Sequence, residues 1–226
     1  MPVILILTPF WRRPDITRIW AEWIKLTTGY NIRVLAVLSP EDEFFEENRA
    51  ILSDFDRVLY KNKPLSEKLN AGINYALTLK WDYLMNLGSD DLLHPLIWNL
   101  YEPYIKSEEP FFGLKRVYFF DMEKKRLGQA KEYFWGAGRM IHRSVIEKIG
   151  CLYTPGRERG LDCDSKDRIV SKYHYLALDT EDFPYVVDLK TWDSLNDYDF
   201  NLKLMDQSDT KILNKHYPKF ITNQIL

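Results

Sequence analysis

The chain has 226 residues, 46% of them hydrophobic and 28% charged, a balance that excludes a disordered or fibrous protein and supplies a full core. Thirty-one Lys and Arg against 33 Asp and Glu leave a net charge of −2, too even for a protein devoted to a nucleic-acid backbone, so no nucleic-acid partner is expected. Two cysteines build neither a disulfide framework nor a four-cysteine zinc site, and the N-terminal apolar run is too short for a signal segment or a membrane span; the expectation is a cytoplasmic protein with free thiols, with peripheral membrane contact left open.

Val3 to Leu7 is an unbroken apolar run ended by Thr8-Pro9, the pattern of a buried parallel strand. After Pro14, the residues Ile16, Ile19, Trp20, Trp23 and Ile24 fall at helical spacing, and Gly29 is read as the stop. Ile32–Leu38 is a second buried strand. Ser39-Pro40-Glu41-Asp42 predicts the start of a second helix, with Ser39 as cap and Pro40 at the first helical position. Arg57–Tyr60 is a short third strand, and Leu65, Leu69, Ile73, Ala76 and Leu77 mark a third helix. Tyr83–Leu87 is a fourth strand that runs into Gly88-Ser89-Asp90-Asp91, and Leu96 to Ile105 carries a fourth helical pattern. Alternation of this kind predicts an α/β fold with parallel strands and right-handed crossovers. Ligands then sit beyond the carboxyl ends of the strands, at Thr8–Arg13, Ser39–Asp42 and Gly88–Asp91.

The pattern changes after Pro110. Phe111–Asp121 and Arg126–Ala130 read as two longer strands around the turn Met122–Lys125. Next come Trp135-Gly136-Ala137-Gly138, a helix opened by a Ser144/Glu147 capping box and ended by Gly150, and a last helix over Asp164–Tyr173. The tail from Lys190 to Leu226 is mixed, with room for a short helix packing back on the domain. No Gly-x-Gly-x-x-Gly, Walker A, paired-histidine or Gly-x-Ser-x-Gly motif occurs, which disfavours dinucleotide, NTPase, zinc-protease and serine-hydrolase chemistry.

Asp90 and Asp91 are the sharpest feature. Acids at the end of an apolar strand stand at the ligand edge of a sheet, and one or two carboxylates suffice for a hard divalent cation that keeps waters and substrate phosphates in its shell. The alternative is that they cap the helix beginning near Pro95. A glycosidase pair is disfavoured, because adjacent residues do not readily span the roughly 5–9 Å that such carboxyl groups need.

The order of motifs resembles the family 2 type of GT-A glycosyltransferase. It comprises the strand Val3–Leu7 with Thr8-Pro9-Phe10-Trp11-Arg12-Arg13-Pro14, then Asn70-Ala71-Gly72-Ile73, then Gly88-Ser89-Asp90-Asp91 followed by Pro95. Trp135-Gly136-Ala137-Gly138-Arg139 and Leu161-Asp162-Cys163-Asp164-Ser165-Lys166-Asp167-Arg168 follow, so the resemblance runs from Val3 to Arg168. It implies a GT-A nucleotide-diphospho-sugar transferase fold: a mostly parallel central sheet flanked by helices, with a small antiparallel acceptor portion. The single domain 1–226 divides into a nucleotide-sugar half (1–110), an acceptor half (111–189) and a tail (190–226).

The implied activity is metal-dependent transfer of a sugar from a nucleotide-diphosphate donor, with UDP the expected nucleotide, to a glycan or other acceptor hydroxyl. Mn²⁺ or Mg²⁺ is the implied cofactor. The resemblance carries Thr8, Pro9, Arg12, Glu41, Lys68, Asn70 and Asp90 over as nucleotide-sugar contacts and Asp90 and Asp91 as metal ligands. It makes Trp135, Gly136 and Arg139 acceptor contacts, and Asp162 the base of an inverting reaction, with a helix cap as that residue's alternative. Gly88 replaces the first acid of the family motif, Leu161 replaces the acid before Asp162, and Leu69 stands where many members have Arg, beside Lys68. Any base contact then falls to Glu41 or Asp42, and Asp188 and His174 are candidates for a third metal ligand. Two other readings stay open: a nucleotide-sugar or glycan-binding module without turnover, and a nucleotidylyltransferase, although Thr8–Pro14 lacks that class's glycine-rich loop.

Overall fold

A computed structural model describes residues 2–27, 30–131, 133–180, 182–194, 199 and 202–217; the stop assigned to Gly29 lies outside them. The first half alternates as the apolar periodicity requires: β1 (Val3–Pro9), α1 (Pro14–Lys25), β2 (Asn31–Leu38), α2 (Phe45–Ile51), β3 (Asp56–Leu59), α3 (Leu65–Ala76), β4 (Tyr83–Asn86), β5 (Asp91–Leu93) and α4 (Ile97–Lys106). The second half holds β6 (Phe111–Leu114), β7 (Tyr118–Asp121), β8 (Arg126–Ala130), β9 (Met140–His142), α5 (Arg143–Ile149), α6 (Leu161–Val170), β10 (Leu176–Leu178), β11 (Val186–Lys190), β12 (Met205–Ser208) and α7 (Lys211–His216).

Two sheets result. The larger has the order β10-β6-β9-β4-β1-β2-β3, parallel throughout except for β9, which runs antiparallel between β4 and β6. Ile4 to Leu7 of β1 are fully buried on both faces, as a strand covered by helices on either side must be. A Cβ on Gly72 would stand 2.7 Å from both Leu7 and Val37, so α3 lies against β1 and β2 at a distance that only glycine permits. The second sheet, β12-β8-β7-β11-β5, is antiparallel apart from the β7–β11 pair. It borrows β5 from the first half, and the first residue of β5 is Asp91, the last acid of the motif. The tail does pack back. Tyr217 stacks on Trp23 with ring centroids 4.8 Å apart, and Leu213 of α7 joins the same buried cluster. Among the described residues no helix is long and apolar enough to cross a membrane, and both cysteines are free.

Four sequence expectations change. Phe111–Asp121 is two strands in two sheets, because the backbone between them is divided: Lys115 N–H donates to Leu178 in the larger sheet, while Val117 C=O accepts from Ala130 in the smaller. Ser39–Asp42 forms a turn rather than a helix start; the Asp42 carboxylate accepts from Phe44 N–H, and the helix begins at Phe45. The Ser144/Glu147 capping box is not made, since His142 Nδ1 accepts from Ser144 N–H and Arg143 takes Glu147. The last helix starts earlier, at Leu161, because Gly160 turns left-handed (φ 68°) just before it.

Candidate active site

The carboxyl ends of β1 and β4 meet the start of β5 and the middle of β11. Asp91 on β5 and Asp188 on β11 are register partners, and Asp90 precedes Asp91. One carboxylate oxygen from each of the three lies within 4.8 Å of the others. The helix-cap alternative for Asp90 and Asp91 is excluded: a strand follows them, and the next helix begins at Ile97. Gly88 explains the missing first acid. Its N–H donates to Asp91 Oδ2 at 2.6 Å, and a Cβ there would lie 2.8 Å from oxygens of both Asp90 and Asp91.

Two cations brace the acids. Arg13 Nη1 donates to Asp90 Oδ2 at 3.0 Å and reaches Ser194, while its Nη2 reaches Ser89. Lys190 Nζ sits 2.6 Å from Asp188 Oδ2. Burial works against ionisation at all three carboxyls, and their partners then differ. At Asp90, Arg13 and Lys190 outweigh burial and hold the carboxyl below its ordinary range. Asp91, buried beside Asp188 and Asp90, is pushed well above that range. Burial also raises Asp188, to about 6 despite Lys190. The donor set suits a hard cation: three carboxylates, with Asp188 Oδ1 buried and unpartnered.

The acids stand where two chambers join. The smaller, about 420 Å³, is lined by Trp11, Arg12, Arg13, Asn62, Lys68 and Asp90 among others. The larger, about 550 Å³, takes in Asp91, Asp188, Trp135, Gly136 and Asp162. Pro9, Leu65, Gly88, Glu158 and Lys190 line both.

The loop after β1 is held by force of contacts. Arg12 and Arg13 both have positive φ (55° and 50°), a strained state for residues with side chains. Asp42 Oδ2 accepts from Arg12 N–H at 2.6 Å, and Asn48 Nδ2 donates to Arg12 C=O. Asp42 is thus a brace for this loop, with Glu41 beside it accepting from Asn62 N–H. Lys68 is fully buried; its Nζ donates to Phe10 C=O at 2.5 Å and to Asn62, and burial lowers its pKa to about 8.

The remaining candidates divide. Pro9 lines both chambers, and the Arg12 side chain opens into the smaller one beside Trp11. Thr8 is wholly buried and lines neither. Asn70 also lines neither: its amide is spent on the Tyr153 backbone, donating to C=O and accepting from N–H. Arg139, expected at the acceptor, is in the wall and not in the cleft. Its guanidinium donates to the carbonyls of Phe134, Trp135 and Asp162, which ties the Trp135 segment to α6. Asp162 lies in the first turn of α6 and is exposed; the cap is Gly160, so the helix-cap alternative for Asp162 falls away. A Cβ on Gly136 would stand 2.0 Å from Asp162 Oδ1, so the carboxylate rests directly against that glycine's backbone. His174 pairs with Glu109 away from the acids, which leaves Asp188 as the third member. Arg13, which the sequence offers beside Arg12 and Lys68 as a phosphate or base contact, turns instead to Asp90, and Lys190 is a site residue that the sequence motifs do not point to; its only signal is its place two residues after Asp188 on one strand face.

No family model and no curated protein matches this sequence. Solved structures match by shape. TarS of S. aureus, residues 1–349, aligns with a TM-score of 0.59 at 9% identity, covering 84% of this chain and 60% of that one. The mannosyltransferase PcManGT from Pyrobaculum calidifontis, in complex with GDP-Man and Mn²⁺, aligns with a TM-score of 0.58 at 11% identity, covering 84% and 56%. The fold is that of the GT-A glycosyltransferases. This chain spans less than two thirds of the length of either relative. Within the GT-A fold its acid trio occupies the strand-end edge where α/β sheets place their ligands.

Proposed function

We propose that the chain is a metal-dependent glycosyltransferase that moves a sugar from a nucleotide-diphosphate donor to an acceptor hydroxyl. The observation that carries this reading is the convergence of Asp90, Asp91 and Asp188 at the junction of the two chambers, with Asp162 in one of them. The Mn²⁺ and GDP-Man in the name of the PcManGT complex support the same class of donor and cofactor. Asp90, Asp91 and Asp188 would hold Mn²⁺ or Mg²⁺, which when bound offsets the charge that builds on a diphosphate leaving group.

The smaller chamber takes the nucleotide, UDP or another, between Trp11, Arg12 and Lys68. Arg13 and Lys190 add fixed positive charge at the junction, where the phosphates lie. Glu41 acts one layer out, holding Asn62 of this chamber's wall, while Thr8 and Asn70 make no contact with the donor. In the larger chamber Trp135 and Gly136 form the acceptor wall, and Asp162 takes the proton from the attacking hydroxyl, which gives inversion.

The test is incubation with a panel of UDP- and GDP-sugars in Mn²⁺, Mg²⁺ or chelator, following nucleotide diphosphate release. Metal-dependent release from at least one donor is expected. Donor binding without release from any of them, in the presence of a broad acceptor panel, would leave a binding module.

A further inference from the structure

The larger chamber carries charged groups at the junction and at Asp162, with a broad apolar surface beside them. Asp91, Asp188 and Lys190 occupy the junction, and Asp162 stands apart from them. Between and around these charges, beside Asn86 and Cys163, the surface includes Leu65, Val117, Phe119, Trp135, Leu161 and Leu204, drawn from α3, β7 and the residue before it, the segment before β9, α6 and the tail. Trp135 has spent its single polar atom: Nε1 donates to Lys131 C=O at 3.1 Å. Its ring packs edge-on to Phe119 and Tyr133, with centroids 5.4 and 5.6 Å away. At the rim Leu204 and Tyr133 are 45% and 38% exposed, large side chains held open to water beside the cleft. The exposed charged residues Lys131 and Arg159 line the chamber as well, and Glu158, also exposed, lines both chambers.

A sugar ring can lay one C–H face on an aromatic, but its edge hydroxyls need partners. Burying a hydroxyl without one costs about 1–3 kcal/mol. Six apolar side chains provide none. An alkyl chain or aromatic ring gains from the same surface at roughly 25 cal/mol per Å².

Resting on the transferase reading above, we propose that the acceptor presents its hydroxyl on, or one sugar away from, an apolar body such as an alkyl chain or an aryl ring, and is not a bare oligosaccharide. The apolar body lies against Val117, Phe119, Trp135 and Leu204 while the hydroxyl reaches Asp162.

The experiment compares binding of the methyl, octyl and phenyl glycosides of one sugar to the full chain, by calorimetry with Mn²⁺ and nucleotide diphosphate present. Octyl or phenyl glycoside should bind at least about tenfold tighter than methyl, a difference of about 1.4 kcal/mol. Preference for octyl alone points to a lipid-like acceptor and preference for phenyl to an aromatic one. Leu204→Asp, at a side chain 45% exposed, should abolish most of the preference and leave nucleotide diphosphate affinity unchanged. Equal affinity for all three glycosides, or an undiminished preference in Leu204→Asp, overturns the proposal. Because the readout is binding, an absence of sugar transfer counts against the transferase reading and leaves this apolar selectivity measurable on its own.

Discussion

Asp91 and Asp188 stand opposite each other on the antiparallel pair β5–β11, so closing the second sheet is what completes the acid cluster. Both carboxyls are raised by burial, and at Asp91 also by Asp188 and Asp90, which means the fold bears a cost to keep them ionised at neutral pH. Asp188→Asn should therefore raise the melting temperature in chelator while weakening Mn²⁺-dependent nucleotide binding by about tenfold or more, a trade of stability against function. The pH sign follows from Asp188, whose pKa of about 6 in the fold lies above the ordinary 3.8. Between those values the native state holds more proton than the unfolded one, so stability is lost as pH rises through the window. The stability advantage of Asp188→Asn should be largest at pH 7 and shrink toward pH 5, measured by thermal melts of both proteins. An advantage that does not change with pH would contradict the assignment.

Arg13 is the cation any metal must contend with at Asp90. Its side chain is 17% exposed, and removing one member of a buried pair is costly, commonly about 3–5 kcal/mol. Arg13→Met should lower the melting temperature in chelator, and Mn²⁺ should recover more of it in the variant than it adds to the parent protein. Nucleotide diphosphate affinity should fall. Equal Mn²⁺ stabilisation of both proteins would show that Arg13 and the ion do not share Asp90.

Asp162→Asn preserves size and most hydrogen bonding but cannot take a proton. Donor affinity should be unchanged and transfer should fall by roughly 10²–10⁴-fold, the range for a positioned base. Turnover near that of the parent would remove Asp162 from the mechanism and shift attention to Asp164, or to a retaining reaction.

Gly136→Ala probes the same carboxylate sterically. A methyl group would fall 2.0 Å from Asp162 Oδ1, and that exposed side chain swings away more cheaply than backbone moves. The melting temperature should drop by only a few degrees, consistent with a loss of about 1 kcal/mol, while transfer drops far more. Full activity in this variant would show that the contact with Gly136 does not position Asp162.

The first half of the fold was legible because β1, β2 and β4 are largely buried and read as apolar runs, with amphipathic α1 and α3 between them and α4 following. Short strands were harder. β6 and β7 look like one strand in the sequence, since every residue in both is buried and only the division of backbone hydrogen bonds at Lys115–Val117 separates them. The acid pair Asp90 and Asp91 was visible as a local motif. Asp188 could be no more than a candidate, because its partnership with Asp91 is a long-range register that no local pattern encodes. Arg139 shows the converse. Its place in the motif is local, but the carbonyls that capture its guanidinium come from Phe134, Trp135 and Asp162, and only the folded chain assembles them.

The most direct measurement is calorimetric titration of the intact chain with UDP- and GDP-sugars, in Mn²⁺ and again in chelator, beside the Asp91→Asn variant. Binding to the parent chain should need the metal, so that donor at a hundred times its Kd stabilises the fold by about 2.7 kcal/mol in Mn²⁺ and by much less in chelator. Asp91→Asn should lose this metal dependence. Donor affinity that is the same in Mn²⁺ and in chelator, or that survives intact in Asp91→Asn, would contradict a metal-dependent donor site at these acids.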